Sequence, residues 1–270
     1  MSPQHADADH PDDVSPKDRF VTVYGRKPVL EALTDPALEV DKVVLAEGAD
    51  PRAVRPILDA ARSRGVRVTR ASAQRVKVLA GNGRQDQGVI ADVVAPGMRT
   101  VERFLAALGP DAPARVLVLD GLTNPANVGM ILRSATAAGV EGVLLPRRGL
   151  PSIDPLVVKA SAGVAFHAPV LRAGTAAAGL AALAEAGFVL LGLDGGSTTS
   201  LFDAELAPRT ALVVGGETDG LTDDVRGELH GTVAIPMAGG VESLNAACAA
   251  TLACFELARR AVPSSTADHR

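Results

Sequence analysis

Four short runs, R-V-L-V-L-D (115–120), G-V-L-L-P (142–146), F-V-L-L-G-L (188–193) and T-A-L-V-V-G (210–215), are apolar at nearly every position rather than at every second one. A strand with one face in water alternates, because successive side chains point to opposite faces of a sheet. Runs without a polar phase need cover on both faces, and each is followed by a helical pattern. The second half of the chain is therefore predicted to be an α/β domain with a parallel sheet between helices. Polar groups that act on a ligand gather in such sheets in the loops beyond the carboxyl ends of the strands.

Those loops read L-D-G-L-T-N-P-A-N-V-G (119–129), G-G-E-T-D-G-L (215–221) and I-P-M-A-G-G-V-E-S-L-N (235–245). They hold Asn124, Asn127, Glu217, Ser243 and Asn245, with Arg133 a short way into the helix after the first loop. Each has a purely structural reading. Asn127 would cap a helix over 128–138, Glu217 would be a turn carboxylate beside glycines that permit positive φ, and Ser243 would cap the last helix. Two residues resist that reading. Arg133 leaves an apolar, small-residue helix towards something anionic or polar, and Asn245 is an odd choice inside a first turn.

The first half patterns differently. Residues 1–18 are polar, rich in Asp and Pro and without periodicity, and are expected to be a disordered extension, and residues 263–270 are a tail. V-Y-G-R-K-P-V-L-E-A-L (23–33) leads into a helix, D-K-V-V-L-A and G-V-R-V-T read as strands around a helix over 52–64, a short helix spans 73–79, and Q-G-V-I-A-D-V (87–93) is β-branched and strand-like. This gives a small α/β domain over 19–95. A linker is placed at 96–113, with a short helix at 101–108, and the second domain over 114–262.

Charge and composition narrow the function classes. The net charge is −4, yet residues 52–84 carry Arg52, Arg55, Arg62, Arg64, Arg67, Arg70, Arg75, Lys77 and Arg84 against Asp59 alone. That stretch is read as a local basic face, which could track phosphates or could be a solvated surface. With one Tyr, six Phe and no Trp, a multi-ring platform for bases is disfavoured. No P-loop and no G-x-G-x-x-G after a strand is present, which argues against nucleotide hydrolysis and standard dinucleotide binding. Scattered histidines and two cysteines without ligand spacing give no metal site. Cys248 and Cys254 are six apart on one predicted helix, read as small buried thiols rather than a disulfide. No run approaches the ~20 apolar residues of a membrane span, and the acidic N-terminus has no leader pattern, so a cytoplasmic protein is expected.

The three loops with their flanks, L-D-G-L-T-N-P-A-N-V-G-M-I-L-R-S-A-T-A-A-G, L-V-V-G-G-E-T-D-G-L and I-P-M-A-G-G-V-E-S-L-N-A-A, resemble the three ordered motifs of the SpoU/TrmH family of RNA ribose 2′-O-methyltransferases. The likeness covers roughly residues 115–260. The first half is similar to the substrate-binding domain that many members carry, through V-Y-G-R-K-P-V-L-E-A-L and Q-G-V-I-A-D-V. One departure is S-L-N-A-A where the family usually reads S-L-N-V-S.

The resemblance implies a SPOUT domain closed by a C-terminal trefoil knot, a homodimer, and S-adenosylmethionine as methyl donor without a metal. It implies catalytic or orienting roles for Arg133, Asn127, Glu217, Ser243 and Asn245, and cofactor contacts at Gly215, Gly216, Ile235, Met237 and Leu244. RNA contacts are expected at Arg26, Arg52, Arg55, Arg62 and Arg84. Ribosomal RNA is the favoured substrate. The residues leave open a transfer RNA target, a role in antibiotic self-protection, a non-catalytic RNA-binding protein of this fold, and a small-molecule methyltransferase.

Overall fold

A computed structural model describes residues 18–81 and 86–261. The N-terminal part runs β1 (Phe20–Tyr24), α1 (Arg26–Thr34), β2 (Val40–Ala46), α2 (Pro51–Ser63), β3 (Arg67–Ala71), α3 (Ala73–Leu79) and β4 (Val89–Val94). Its four strands lie in the order β1-β4-β2-β3, with β4 antiparallel to both neighbours and β2 parallel to β3. Val43 and Leu45 of β2 join the cluster formed with α1 and α2, while Val44 and Ala46 join Val76 of α3. The period of two thus sends alternate residues to two different helix layers.

The remaining strands build one seven-stranded, wholly parallel sheet. They are β5 (Arg99–Thr100), β6 (Ala114–Leu119), β7 (Gly142–Pro146), β8 (Val170–Ala173), β9 (Val189–Leu193), β10 (Arg209–Val214) and β11 (Gly231–Val233), in the order β11-β9-β10-β6-β7-β8-β5. The helices are α4 (Val101–Ala107), α5 (Pro125–Ala138), α6 (Pro155–Ala160), α7 (Ala176–Glu185), α8 (Asp223–Glu228) and α9 (Ala246–Ala261). Leu117 and Leu119 of β6 pack with α5 and α9, whereas Val116 and Val118 pack with α4, α7 and α8. The continuously apolar runs are strands with both faces covered, as their lack of alternation requires.

Several expectations need correcting. Asp18, placed in the disordered extension, is buried, and its carboxylate pairs with Arg147 just beyond β7 and lies 4.0 Å from Arg172 on β8. A carboxylate buried between two guanidiniums is held in place because leaving it unpaired would be costly. Within the expected linker, β5 pairs with β8 and Val101 and Phe104 of α4 enter the core, so this stretch completes the sheet edge. β5, β8 and β11 were not anticipated as strands.

The basic stretch does not form one face. Arg52, Arg55 and Arg62 are exposed on α2, while Arg75 and Lys77 are exposed on α3, which covers the opposite face of the small sheet. Arg55 and Arg62 share Asp59 at 3.8 and 3.6 Å. Arg64 is structural: its guanidinium donates to the carbonyls of Leu33, Asp35 and Leu38 at 3.2, 2.8 and 2.5 Å and closes the end of α1. Arg84 lies outside the described residues, as do 1–17 and the tail 262–270.

The last helix explains its composition by its place. α9 lies against α5 and strands β6 and β10, burying Ala246, Ala247, Ala250, Ala253, Cys254 and Leu257. Its C-terminal end is anchored by Arg260, which binds Glu256 and donates to the carbonyls of Ala204, Leu201 and Phe202. Only one thiol is buried: Cys254 is, with burial pushing its pKa up to about 12, whereas Cys248 is exposed. A thiol reagent near pH 8 is expected to leave Cys254 unmodified in the folded protein and to reach it only in denaturant; a fast-reacting Cys254 in the native protein would contradict this packing.

Candidate functional site

The loops beyond β6, β10 and β11 meet at Asn127. Helix α5 starts earlier than anticipated, because Pro125 takes the first helical position and Asn124, not Asn127, is the cap, its side chain accepting from the Ala126 N–H at 2.9 Å. Asn127 therefore falls inside the first turn and turns inward, where it is 2% exposed. A buried amide needs partners at both ends. Its Nδ2 donates to Glu217 Oε1 at 2.5 Å, and its Oδ1 accepts from Asn245 Nδ2 at 3.2 Å.

Asn245 likewise has a place the sequence reading missed. Residues 241–245 are irregular and α9 begins at Ala246, so Asn245 rather than Ser243 is its cap. Asn245 Oδ1 accepts from the Ala247 and Cys248 N–H groups at 2.9 and 3.4 Å. The result is a directed chain: α9 amides to Asn245, Asn245 to Asn127, Asn127 to Glu217. With donors at one end and a carboxylate at the other, each amide has one possible orientation. Glu217 and Asn245 are both exposed at the outer ends, and Ser243 stands exposed beside them. Arg133 is not part of this cluster. It is exposed on α5, six residues or about 9 Å along the axis from Asn127, and forms no hydrogen bond or ion pair among the described residues.

Backbone contacts hold the first two loops together. A Cβ on Gly216 would lie 2.5 Å from the Gly121 carbonyl oxygen, and one on Gly215 would lie 2.3 Å from the Gly220 carbonyl carbon. Three charged groups missed in the sequence reinforce this arrangement. Asp120, buried at the end of β6, accepts from the Thr222 N–H at 2.7 Å. On the other side Arg226 of α8 binds Asp194 Oδ2 at 2.8 Å and donates to the Leu221 carbonyl at 3.2 Å. Asp194 is held below the usual carboxylate range first by Arg226 and then by the Gly196 N–H. β10 lies between β6 and β9, so these carboxylates grip its loop from both flanks.

Beyond β9 and β11 lies a cavity of about 530 Å³. Its walls combine the hydroxyls of Ser197, Thr198 and Ser200 with Ile235, Met237 and Val241, and the Glu242 backbone approaches Gly195 across it. Of the anticipated cofactor contacts, Ile235 and Met237 line this cavity; Gly215, Gly216 and Leu244 do not. The G-G-S-T-T-S loop after the apolar run 188–193 is a fourth strand-end loop, beyond the three to which the motifs point. Among the described residues no cluster of three or more potential metal ligands occurs, and no helix is long and apolar enough to cross a membrane.

Comparison with known proteins shows what the chain is similar to. Residues 114–255 match the SpoU rRNA methylase family and residues 22–99 match the RNA 2′-O ribose methyltransferase substrate-binding domain. The chain is 35% identical over 240 residues to the 23S rRNA (guanosine-2′-O-)-methyltransferase RlmB of Xanthomonas axonopodis pv. citri, covering 88% of this chain and 96% of that one. It is also 35% identical over 246 residues to an uncharacterized tRNA/rRNA methyltransferase of Mycolicibacterium smegmatis, covering 90% and 77%. Among solved structures, the SpoU methyltransferase AviRb of Streptomyces viridochromogenes in complex with AdoMet superposes with a TM-score of 0.60 at 28% identity, covering 89% and 90%.

The loop contacts give a paired test. Gly216→Ala forces a methyl onto a backbone carbonyl and should destabilise the fold by about 1–3 kcal/mol in denaturant unfolding. Gly227→Ala, on α8 with nothing within 4 Å, should be neutral or stabilising by up to ~1 kcal/mol. Equal effects would mean that the Gly121–Gly216 approach is not a constraint.

Proposed function

The chain belongs to the SpoU rRNA methylase family, and from that premise we propose that it transfers a methyl group from S-adenosylmethionine to one ribose 2′-hydroxyl of 23S ribosomal RNA. The observation that carries the reading is the Asn245–Asn127–Glu217 chain, which joins all three family motifs in one polar cluster. The Xanthomonas relative, named for a guanosine of 23S rRNA, sets the first substrate to test.

The cavity beyond β9 and β11 fits the cofactor by chemistry. Ile235, Met237 and Val241 offer apolar walls for an adenine, the hydroxyls of Ser197, Thr198 and Ser200 suit a ribose, and the Glu242 carboxylate suits an ammonium. The sulfonium supplies an electrophilic methyl for in-line displacement by the ribose oxygen. Gly215, Gly216 and Leu244 stand at the neighbouring loops and, on this reading, contribute main-chain contacts at the cavity mouth.

The protein's own groups orient and stabilise. Asn245, Glu217 and Ser243 position the target nucleotide without themselves competing as methyl acceptors, and the buried Asn127 holds Asn245 and Glu217 in place for it. The Arg133 guanidinium stabilises the negative charge that develops as the hydroxyl loses its proton. Its exposed place on α5 suits a group that meets RNA. Arg26, Arg52, Arg55 and Arg62 contribute phosphate contacts from the substrate-binding domain, with Arg84 in the same role.

A homodimer is part of the proposal. Cys248, Leu252 and Phe255 repeat along one exposed face of α9, and Met130 is exposed on α5, which touches α9 through the Thr251–Ser134 hydrogen bond of 2.8 Å. A stripe of this kind is normally covered by a partner. The trefoil knot is proposed on the course of α9, whose Arg260 reaches back to the 201–204 carbonyls. The cytoplasm, where ribosomal RNA is made, is the proposed location.

The test is transfer of labelled methyl to rRNA and tRNA from cells lacking the gene, followed by mapping of ribose methylation. Label is expected at one 23S ribose, with Arg133→Ala lowering kcat about 10²–10³-fold while cofactor binding is retained. Label on tRNA alone would move the substrate to tRNA, and no label on any RNA despite cofactor binding would overturn the reading.

A further inference from the structure

A second groove, of about 420 Å³, runs between the two halves of the chain, away from the strand-end loops. The N-terminal part contributes Tyr24, Lys27 and Gln87; the methyltransferase part contributes Pro155 and Leu156 from the first turn of α6. Tyr24 ends β1 inside V-Y-G-R-K-P, the segment that the strand-end site leaves without a role. It is the chain's only tyrosine.

Each wall has a defined chemistry. The Tyr24 hydroxyl reaches Asp154 Oδ2 at 3.5 Å, and Asp154 is itself fixed as the cap of α6, accepting from Leu156 and Val157 at 2.9 and 3.0 Å. The ring is thereby held from both domains. Burial first, then the Asp154 charge, pushes the Tyr24 pKa up, so the hydroxyl stays a donor at neutral pH. Gln87 has a left-handed backbone with φ 51°, and its Oε1 accepts from the Arg26 N–H and Nε at 3.0 and 3.3 Å. Both neighbours are donors, so the amide cannot be reversed, and its NH₂ is left without an acceptor among the described residues. Leu156 is 58% exposed, unusually open for its type. Lys27 is 87% exposed and only loosely paired with Glu31 at 3.8 Å, leaving its ammonium available at the rim.

An aromatic face, an apolar wall, a pair of amide donors and an ammonium are what a single nucleotide needs for its base, base edge and phosphate. We propose that this groove holds a nucleotide flanking the methylated one, with its base on Tyr24, a base-edge acceptor at the Gln87 amide and a phosphate at Lys27. The proposal rests on the RNA methylation reading above. The scarcity of aromatics disfavours a multi-ring platform but not this, since one base needs one ring. The groove is also mechanically close to the site. α6 touches α5 at Gly129, where a Cβ would meet the Val157 carbonyl at 2.5 Å, and Gly129 is two residues from Asn127. A base seated there would set the register in which the target ribose arrives.

With no Trp and one Tyr, intrinsic emission reports on Tyr24 alone. Titration of the wild-type protein with the 23S rRNA segment around the mapped methyl should quench that emission in step with binding. Tyr24→Phe keeps the ring and loses the Asp154 bond; Tyr24→Leu loses both. KM for RNA should stay near wild type in the first and rise on the order of tenfold in the second, with kcat and cofactor affinity unchanged. Gln87→Gly, which tolerates the positive φ while deleting the amide, should also raise KM. Unquenched emission during normal methylation, or equal behaviour of the Phe and Leu variants, would overturn the groove proposal and leave the methylation reading intact. A wild-type protein that neither binds nor methylates this RNA would defeat the underlying reading first.

Discussion

A carboxamide buried at the start of α5 has to find an acceptor and a donor, and the way Asn127 does so organises the whole carboxyl edge of the sheet. Its donor goes to a loop beyond β10 and its acceptor to the segment after β11, so three loops far apart in sequence become one cluster. Neither partner can be replaced by water without moving the helix, since the residue is 2% exposed. Chain order within the cluster is enforced electrostatically. A carboxylate can only accept and helix amides can only donate, so both intervening amides are polarised in one direction.

That cluster depends in turn on how closely the loops can approach. Gly121 and Gly216 meet through backbone atoms, and Asp120 and Asp194 then fix the β10 loop from its two neighbouring strands. The two carboxylates do different work. Asp120 is buried and binds a backbone N–H directly, whereas Asp194 acts through a guanidinium that also holds a carbonyl. The first makes the loop rigid where it leaves the sheet; the second ties it to the loop that walls the cofactor-sized cavity.

Much of this was legible in the sequence, for identifiable reasons. The long apolar runs declared a doubly covered parallel sheet, and the loop polarity named Asn127, Glu217 and Asn245. β5, β8 and β11 escaped because two to four residues carry no usable period. The cap assignments slipped by three residues at α5 and two at α9, and in the first case Pro125 was a sufficient signal, since proline favours the first helical position. The arginine count over 52–84 misled because a linear tally ignores which helix layer each residue joins, and it could not see Arg64 spent on carbonyls at the end of α1. Asp18 and Asp120 were invisible because their partners are remote in sequence.

The structure also resolves an apparent conflict between a net charge of −4 and an RNA substrate. Among the described residues Arg133 on α5 and Arg52 on α2 form no ion pair and Lys27 at the interdomain groove is only loosely paired, while several acids are committed to internal partners. Asp18, Asp120, Asp194 and Glu256 all bind cations or backbone amides of the protein itself. Glu256 is held below the ordinary carboxylate range first by Arg259 and then by Arg260. A carboxylate so engaged projects little field into solvent, because its nearest charge is opposite and only a few ångströms away. What an approaching polyanion meets is set by the exposed cations rather than by the net charge of the whole chain.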